Sequence, residues 1–162
     1  MAGWLVLNTD ASKPDVSGDA AIGAILRQKP RSSNAPMKVI AYISKVVGHM
    51  EIQAAEYQAV IEGLRLALLH PSDADDLQVF TDSATVADQI QKEEPGFKQL
   101  YMTKLHDEVR ELLKEIGERN VKVRISWLPR EPNREADQRA SDAFINRAGN
   151  AWLDPESSSN LE

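Results

Sequence analysis

The hydrophobic pattern of this 162-residue chain changes period near residue 51, and that change limits the class of fold open to it. Before it come short apolar runs separated by turn residues. Residues 3–12 read as a strand, "SKPDVSGD" (Ser12 to Asp19) as a turn rich in Pro, Gly, Ser and Asp, and Ala20 to Arg27 as a second strand. After the loop "QKPRSSNAP", Met37 to Ser44 makes a third, and connections this short favour antiparallel hairpins. From Glu51 to His70, small and apolar residues recur at helical spacing (Ile52, Ala55, Ala59, Gly63, Ala67) until Pro71 bars continuation.

Strand and helix then alternate. "LQVFTD" (Leu77 to Asp82) is a strand, and Ser83 is placed to cap a short helix through about Gln91. "KEEPGF" breaks that helix, after which Met102, Leu105, Val109, Leu112 and Ile116 mark an amphipathic one. "VKVRISW" (Val121 to Trp127) alternates as a strand, and Trp127 continues the apolar face of Val121, Val123 and Ile125, so core packing is expected of it ahead of base stacking. "LPREP" is a loop, Asn133 an N-cap, and residues 134–148 a final helix carrying Ala136, Ala140, Ala143 and Phe144. The order βββαβααβα describes an α/β fold with a mixed sheet, an antiparallel meander followed by strands reached through helical crossovers. Residues 1–150 are expected to form one domain. Residues 151–162 are expected to be a polar, disordered tail whose final Leu-Glu is a vector remnant outside the fold.

Composition removes several classes. Without cysteine there is no disulfide and no thiolate metal site, and a reducing cytoplasm is the expected setting. No apolar run approaches the roughly 20 residues of a membrane span, and strand-like sequence from Trp4 is expected to leave no signal peptide. The net charge of −6 argues against a polyanion held by a basic surface. It does not argue against a polyanion met through metal ions on clustered carboxylates.

Such carboxylates exist. Asp10 and Asp82 each end an apolar strand at an edge where open α/β sheets bind ligands. Glu56 lies on the apolar side of its helix, between Ile52 and Val60, and Asp137 near the start of the last helix. Singly, each has an ordinary reading as a turn former, a helix cap, a rim glutamate or an acid favoured by the helix dipole. Together, four converging acids would repel one another unless cations intervene, and all-oxygen sites suit Mg²⁺ or Mn²⁺. Two such ions about 3.5–4 Å apart can activate a water and stabilise the leaving oxygen of a phosphodiester.

Asp10 in "TDAS", Glu56 in "AAEYQAVIEGL", Asp82 in "TDSATV" and Asp137 in "WLPREPNREADQRAS", taken with the order of elements, closely resemble type 1 ribonuclease H over roughly residues 3–148. The resemblance implies a five-stranded mixed sheet ordered 3-2-1-4-5 with helices on both faces. It implies hydrolysis of the RNA strand of an RNA·DNA hybrid by two Mg²⁺ or Mn²⁺ ions, leaving 3′-hydroxyl and 5′-phosphate ends, by a chain expected to be a monomer. Asp10, Glu56, Asp82 and Asp137 would be both catalytic residues and metal ligands, with Asp10 shared by both ions. Ala11 and Gln53 are candidate substrate contacts; Ser12 and Ser83 read equally as substrate contacts or caps, and the basic residues Lys13, Arg130 and Arg134 equally as phosphate contacts or solvated loop charges.

Departures from the family pattern shape further expectations. Ala11 stands where the family usually has glycine, and the loop "LPREPNREA" lacks the histidine many members carry there. His49, His70 and His106 are expected to be ordinary surface residues. "QKEEPGFKQ" is short and not basic where many members have a basic protrusion, and Glu51, Ile52 and Gln53 replace a common Thr-Asn-Asn. These changes bear on how the hybrid is gripped more than on the chemistry. Two rival readings compete with this one. A 3′–5′ exonuclease of the same broad fold would need an Asp-x-Glu pair, whereas Asp10 is followed by Ala11 and Ser12. A catalytically weak or idle nucleic-acid-binding module stays open because the usual substrate-grip residues are missing, although an idle site has no physical reason to keep four repelling acids.

Overall fold

A computed structural model describes residues 3–12, 18–30, 36–129, 136 and 138–140, with the backbone of 151–153. Its sheet contains β1 (Trp4–Ser12), β2 (Asp19–Lys29), β3 (Lys38–His49), β4 (Asp76–Thr81), β5 (Lys122–Trp127) and β6 (Ala151–Leu153), in the order β5-β4-β1-β2-β3-β6. The five expected strands thus stand in the order 3-2-1-4-5. β1 to β3 form the antiparallel meander, while β4 and β5 join β1 in parallel after helical crossovers. The helices are α1 (Ile52–Leu69), α2 (Ala84–Ile90) and α3 (Leu100–Gly117).

The period-2 pattern of β1 divides its side chains between two faces. Leu5, Leu7 and, on β4, Leu77 and Val79 face α1, and with Val60, Ile61, Leu64, Val109 and Ile116 they form the main core. Gly63 lets α1 lie close against β1. A Cβ there would come within 2.9 Å of Leu7 Cδ2 and 3.0 Å of Thr9 Cγ2. The opposite face carries Asn8, Asp10, Gly23, Tyr42 and Ser44 by alternation and register. Against it lie the helical residues 136 and 138–140. Ser44 Oγ donates to the Arg139 carbonyl, and the Arg139 guanidinium sits 4.0 Å from the Tyr42 ring centroid. Helices therefore cover both faces. Asn133 and the remainder of the expected helix over 134–148 lie outside the described residues.

Two expectations change. β3 runs on past Ser44 to His49, because β2 extends back to Asp19 and offers it partners. The expected disordered tail is corrected at residues 151–153, which pair antiparallel with Tyr42–Ser44. The outer edge of β3 presents unpaired backbone groups, and a following segment can satisfy them by adding a strand. Residues 154–162 lie outside the described residues. Among the described residues no helix is long and apolar enough to cross a membrane.

Candidate metal centre

The pairing of β1 with β4 explains where the acids stand. These parallel strands match Trp4 with Asp76 and continue to Thr9 with Thr81, where their pairing ends. Asp10, still on β1, and Asp82, the first residue past β4, come next, side by side where the two chains part. That gap at the carboxyl ends of neighbouring strands is where open α/β sheets form their binding crevice. Thr9 ties the strands together just before it, donating from Oγ1 to the Phe80 carbonyl at 3.3 Å.

Glu56 reaches the same crevice from α1. One carboxylate oxygen from each of Asp10, Glu56 and Asp82 can be chosen so that all three lie within 4.8 Å of one another. Asp10 is 1% exposed and Glu56 6%, and Glu56 Oε2 has no hydrogen-bond partner among the described residues. Burial, then the neighbouring Asp82 charge, pushes the Glu56 carboxyl up from 4.5 to about 8, against hydrogen bonds with the Asp10 side chain and Ala11 backbone. A buried set of oxygen donors under mutual repulsion is the electrostatic complement of a hard divalent cation.

Beside the acids lies an open cleft of about 320 Å³ lined by Ala11, Ile52, Gln53, Glu56, Asp82, Ser83 and Thr85. Of the expected substrate contacts, Ala11, Gln53 and Ser83 thus meet the cleft, and Ser12 is the last residue of β1. The Ser83 hydroxyl caps α2, accepting from the Val86 N–H at 3.2 Å. Gln53 donates through Nε2 to Gln89 Oε1 at 3.1 Å, and the Tyr57 hydroxyl donates to the same oxygen at 2.8 Å. Lys13, Arg130, Arg134 and Asp137 lie outside the described residues. The sequence neighbour of Asp137, Ala136, packs on Gly23, which is the register partner of Asp10.

Two readings of single residues are corrected. Trp127 is 53% exposed rather than in the core, and its indole N–H donates to the Asp82 carbonyl at 3.1 Å. It pairs with Thr81, the last residue of β4, so no further strand residue covers its ring. His106 is buried at 1% exposure, not on the surface; its Nε2 lies 3.0 Å from the Gln89 carbonyl, beside the Tyr57 and Phe97 rings. Gln89, the hub that holds Gln53, escaped the sequence reading altogether. Its partners Gln53 and Tyr57 are 36 and 32 residues away, and no local pattern marks such a link.

The family model described as reverse transcriptase-like matches residues 8–143. Comparison with curated proteins finds no match. Among solved structures, the chain is similar to the N-terminal ribonuclease H domain of a Mycobacterium tuberculosis protein, solved as a maltose-binding-protein fusion. Identity is 24%, coverage 91% of this chain and 97% of that one, and the TM-score 0.72. Ribonuclease H1 from the archaeon Halobacterium salinarum is 23% identical, over 89% and 99% of the two chains, with a TM-score of 0.68. A compost-derived ribonuclease H1 solved in complex with an RNA/DNA hybrid is 20% identical, over 90% and 99%, with a TM-score of 0.69.

Proposed function

The chain belongs to the reverse transcriptase-like family, with a ribonuclease H fold, and from that premise we propose that it is an endoribonuclease acting on the RNA strand of RNA·DNA hybrids. The observation that carries this reading is the meeting of Asp10, Glu56 and Asp82 within 4.8 Å at the crevice between β1 and β4. The three side chains fit a divalent cation: all donors are oxygens, two of the acids are buried, and Glu56 Oε2 has no hydrogen-bond partner among the described residues. Asp10, Glu56, Asp82 and Asp137 would hold two Mg²⁺ or Mn²⁺ ions, with Asp10 central to both. When bound, such ions supply an activated water and charge stabilisation at the scissile phosphate.

The chain's own residues do the rest. The buried floor at Asp10 and Glu56 keeps the carboxylates in one orientation, and Thr9 and Leu128, bonded to the Phe80 and Thr81 carbonyls, fix the end of β4 beneath Asp82. Gln53, anchored by its Nε2 to Gln89, lines the cleft and would offer its remaining hydrogen-bonding capacity to substrate. Ser12, Lys13, Arg130 and Arg134 would add contacts to the strands. The 2′-hydroxyl is the feature by which such a cleft can select RNA.

The test is hydrolysis of a labelled hybrid with Mg²⁺ and with Mn²⁺, beside duplex DNA, single-stranded RNA and the Asp10→Asn variant. Cleavage of the hybrid alone, lost in Asp10→Asn, is the expected result. Full activity in Asp10→Asn would overturn the assignment. Equal cutting of duplex DNA would indicate a general nuclease, and binding of hybrid without any product an idle binding module.

A further inference from the structure

A large aromatic ring half in water is unremarkable when its side chain is free to move. Trp127 is not free. Its N–H donates to the Asp82 carbonyl at 3.1 Å, and the next residue, Leu128, donates its N–H to the Thr81 carbonyl at 2.8 Å. The ring is therefore fastened to the end of β4 that presents Asp82, and it stands beside the start of α2, whose Ser83 and Thr85 line the cleft. At 53% exposure it offers an apolar surface already held in place, so a ligand packing on it orders little that is not already ordered.

We propose that Trp127 is a nucleic-acid contact, packing its exposed ring against a sugar of the strand that crosses the Asp82 side of the cleft. The inference rests on the nuclease reading of the site. A sugar is the fitting partner because bases inside a duplex already cover one another's faces, while each furanose turns carbon and hydrogen outward. The same indole thereby serves two ends: its face meets the substrate and its N–H steadies the backbone of Asp82. A strand pressing on the ring would bear directly on the segment that carries a metal-holding carboxylate.

Replacing Trp127 by Phe and by Ala separates the two ends. Trp127→Phe keeps a ring and loses the N–H; its KM for hybrid should stay within about twofold, while the Mg²⁺ concentration for half-maximal rate rises. Trp127→Ala loses both, and its KM should rise about fivefold or more, the scale of a lost aromatic contact with a nucleotide. Tryptophan emission gives a reading that needs no turnover. Hybrid added with Ca²⁺ in place of Mg²⁺ should change the emission of the unaltered chain, and the change should be largely lost in Trp127→Phe, which retains Trp4 and Trp152. An emission change equally large in Trp127→Phe would overturn the proposal, as would an unchanged KM in a folded Trp127→Ala. If the unaltered chain cut nothing yet its Trp127 emission still responded to hybrid, the nuclease reading would fail and the contact would stand.

Discussion

Gly23 faces Asp10 across β1 and β2 as its register partner, and the absent side chain of Gly23 is what lets the helical residues 136 and 138–140 rest on the sheet there. A Cβ at Gly23 would lie 2.2 Å from the Ala136 carbonyl oxygen and 2.5 Å from the Ala140 nitrogen, both backbone atoms that cannot swing aside. The closeness of that segment to the acids is thus set by one hydrogen atom in place of a methyl group.

Gly23→Ala should therefore lower stability by about 1–3 kcal/mol, the usual cost of overpacking, and reduce cleavage by pushing that segment from its seat. Gly117→Ala, at a position with open space, should cost nothing in either measurement. Chemical denaturation and hybrid hydrolysis of the two variants make the comparison. A Gly23→Ala protein as stable and active as its parent would show that the segment yields without penalty.

Asp10→Asn, Glu56→Gln, Asp82→Asn and Asp137→Asn should each lower the cleavage rate about a hundredfold or more, since each removes a charge that catalysis needs. In EDTA the buried members should act in the opposite sense on folding. Taking one acid from a repelling cluster should raise the melting temperature of Asp10→Asn and Glu56→Gln. Lower melting temperatures in both would argue against repulsion among these groups.

Glu56 also fixes a direction of pH dependence. Its carboxyl stands at about 8 in the folded chain against an ordinary 4.5, so folding strengthens proton binding. That contribution to stability is fully present below about pH 4.5 and is lost as the pH rises toward 8. In EDTA, the drop between these limits should be on the order of a few kcal/mol, and Glu56→Gln should flatten it. Mg²⁺ should raise the melting temperature more at the alkaline end than at the acid end. A melting temperature that climbs from pH 5 to pH 8 without metal would contradict the assignment of direction.

Glu51 is the N-cap residue of α1 and accepts a hydrogen bond from the Tyr101 hydroxyl, which holds an exposed negative charge next to Ile52 and Gln53 at the cleft. Glu51→Thr should lower KM for hybrid about two- to fivefold at low salt and leave kcat nearly unchanged, with the gain shrinking as salt is added. Steady-state kinetics at two ionic strengths decide it. An unchanged KM at low salt would make Glu51 a helix-end residue without influence on substrate.

Much of the molecule was legible in its sequence because the features that place the site are local. A strand of apolar residues that ends in an acid, twice, locates Asp10 and Asp82, and a glutamate on an apolar helix side locates Glu56. What escaped depends on where neighbours stop. Alternation correctly puts Trp127 on the face of Ile125, but β4 ends at its partner Thr81, and the ring is left 53% exposed. His106 falls one turn from Met102 on the buried stripe of α3, where a carbonyl from Gln89 satisfies it. Histidine's polarity hid a core position. β6 is only three residues long, and pairing on an open edge gives so short a segment no pattern of its own.

The union of β1 with β4 has a kinetic consequence. Thr9 and Phe80 are 71 residues apart in the chain, whereas β1, β2 and β3 are separated by only a few residues each. Closing the long loop costs more entropy than closing the hairpins, so the meander can form while the partner of β1 is still absent. Until β4 arrives, one edge of β1 stays open and its acid faces water, with Asp82 elsewhere. The crevice is therefore a late product of folding, and cleavage activity during refolding should lag behind the first appearance of sheet.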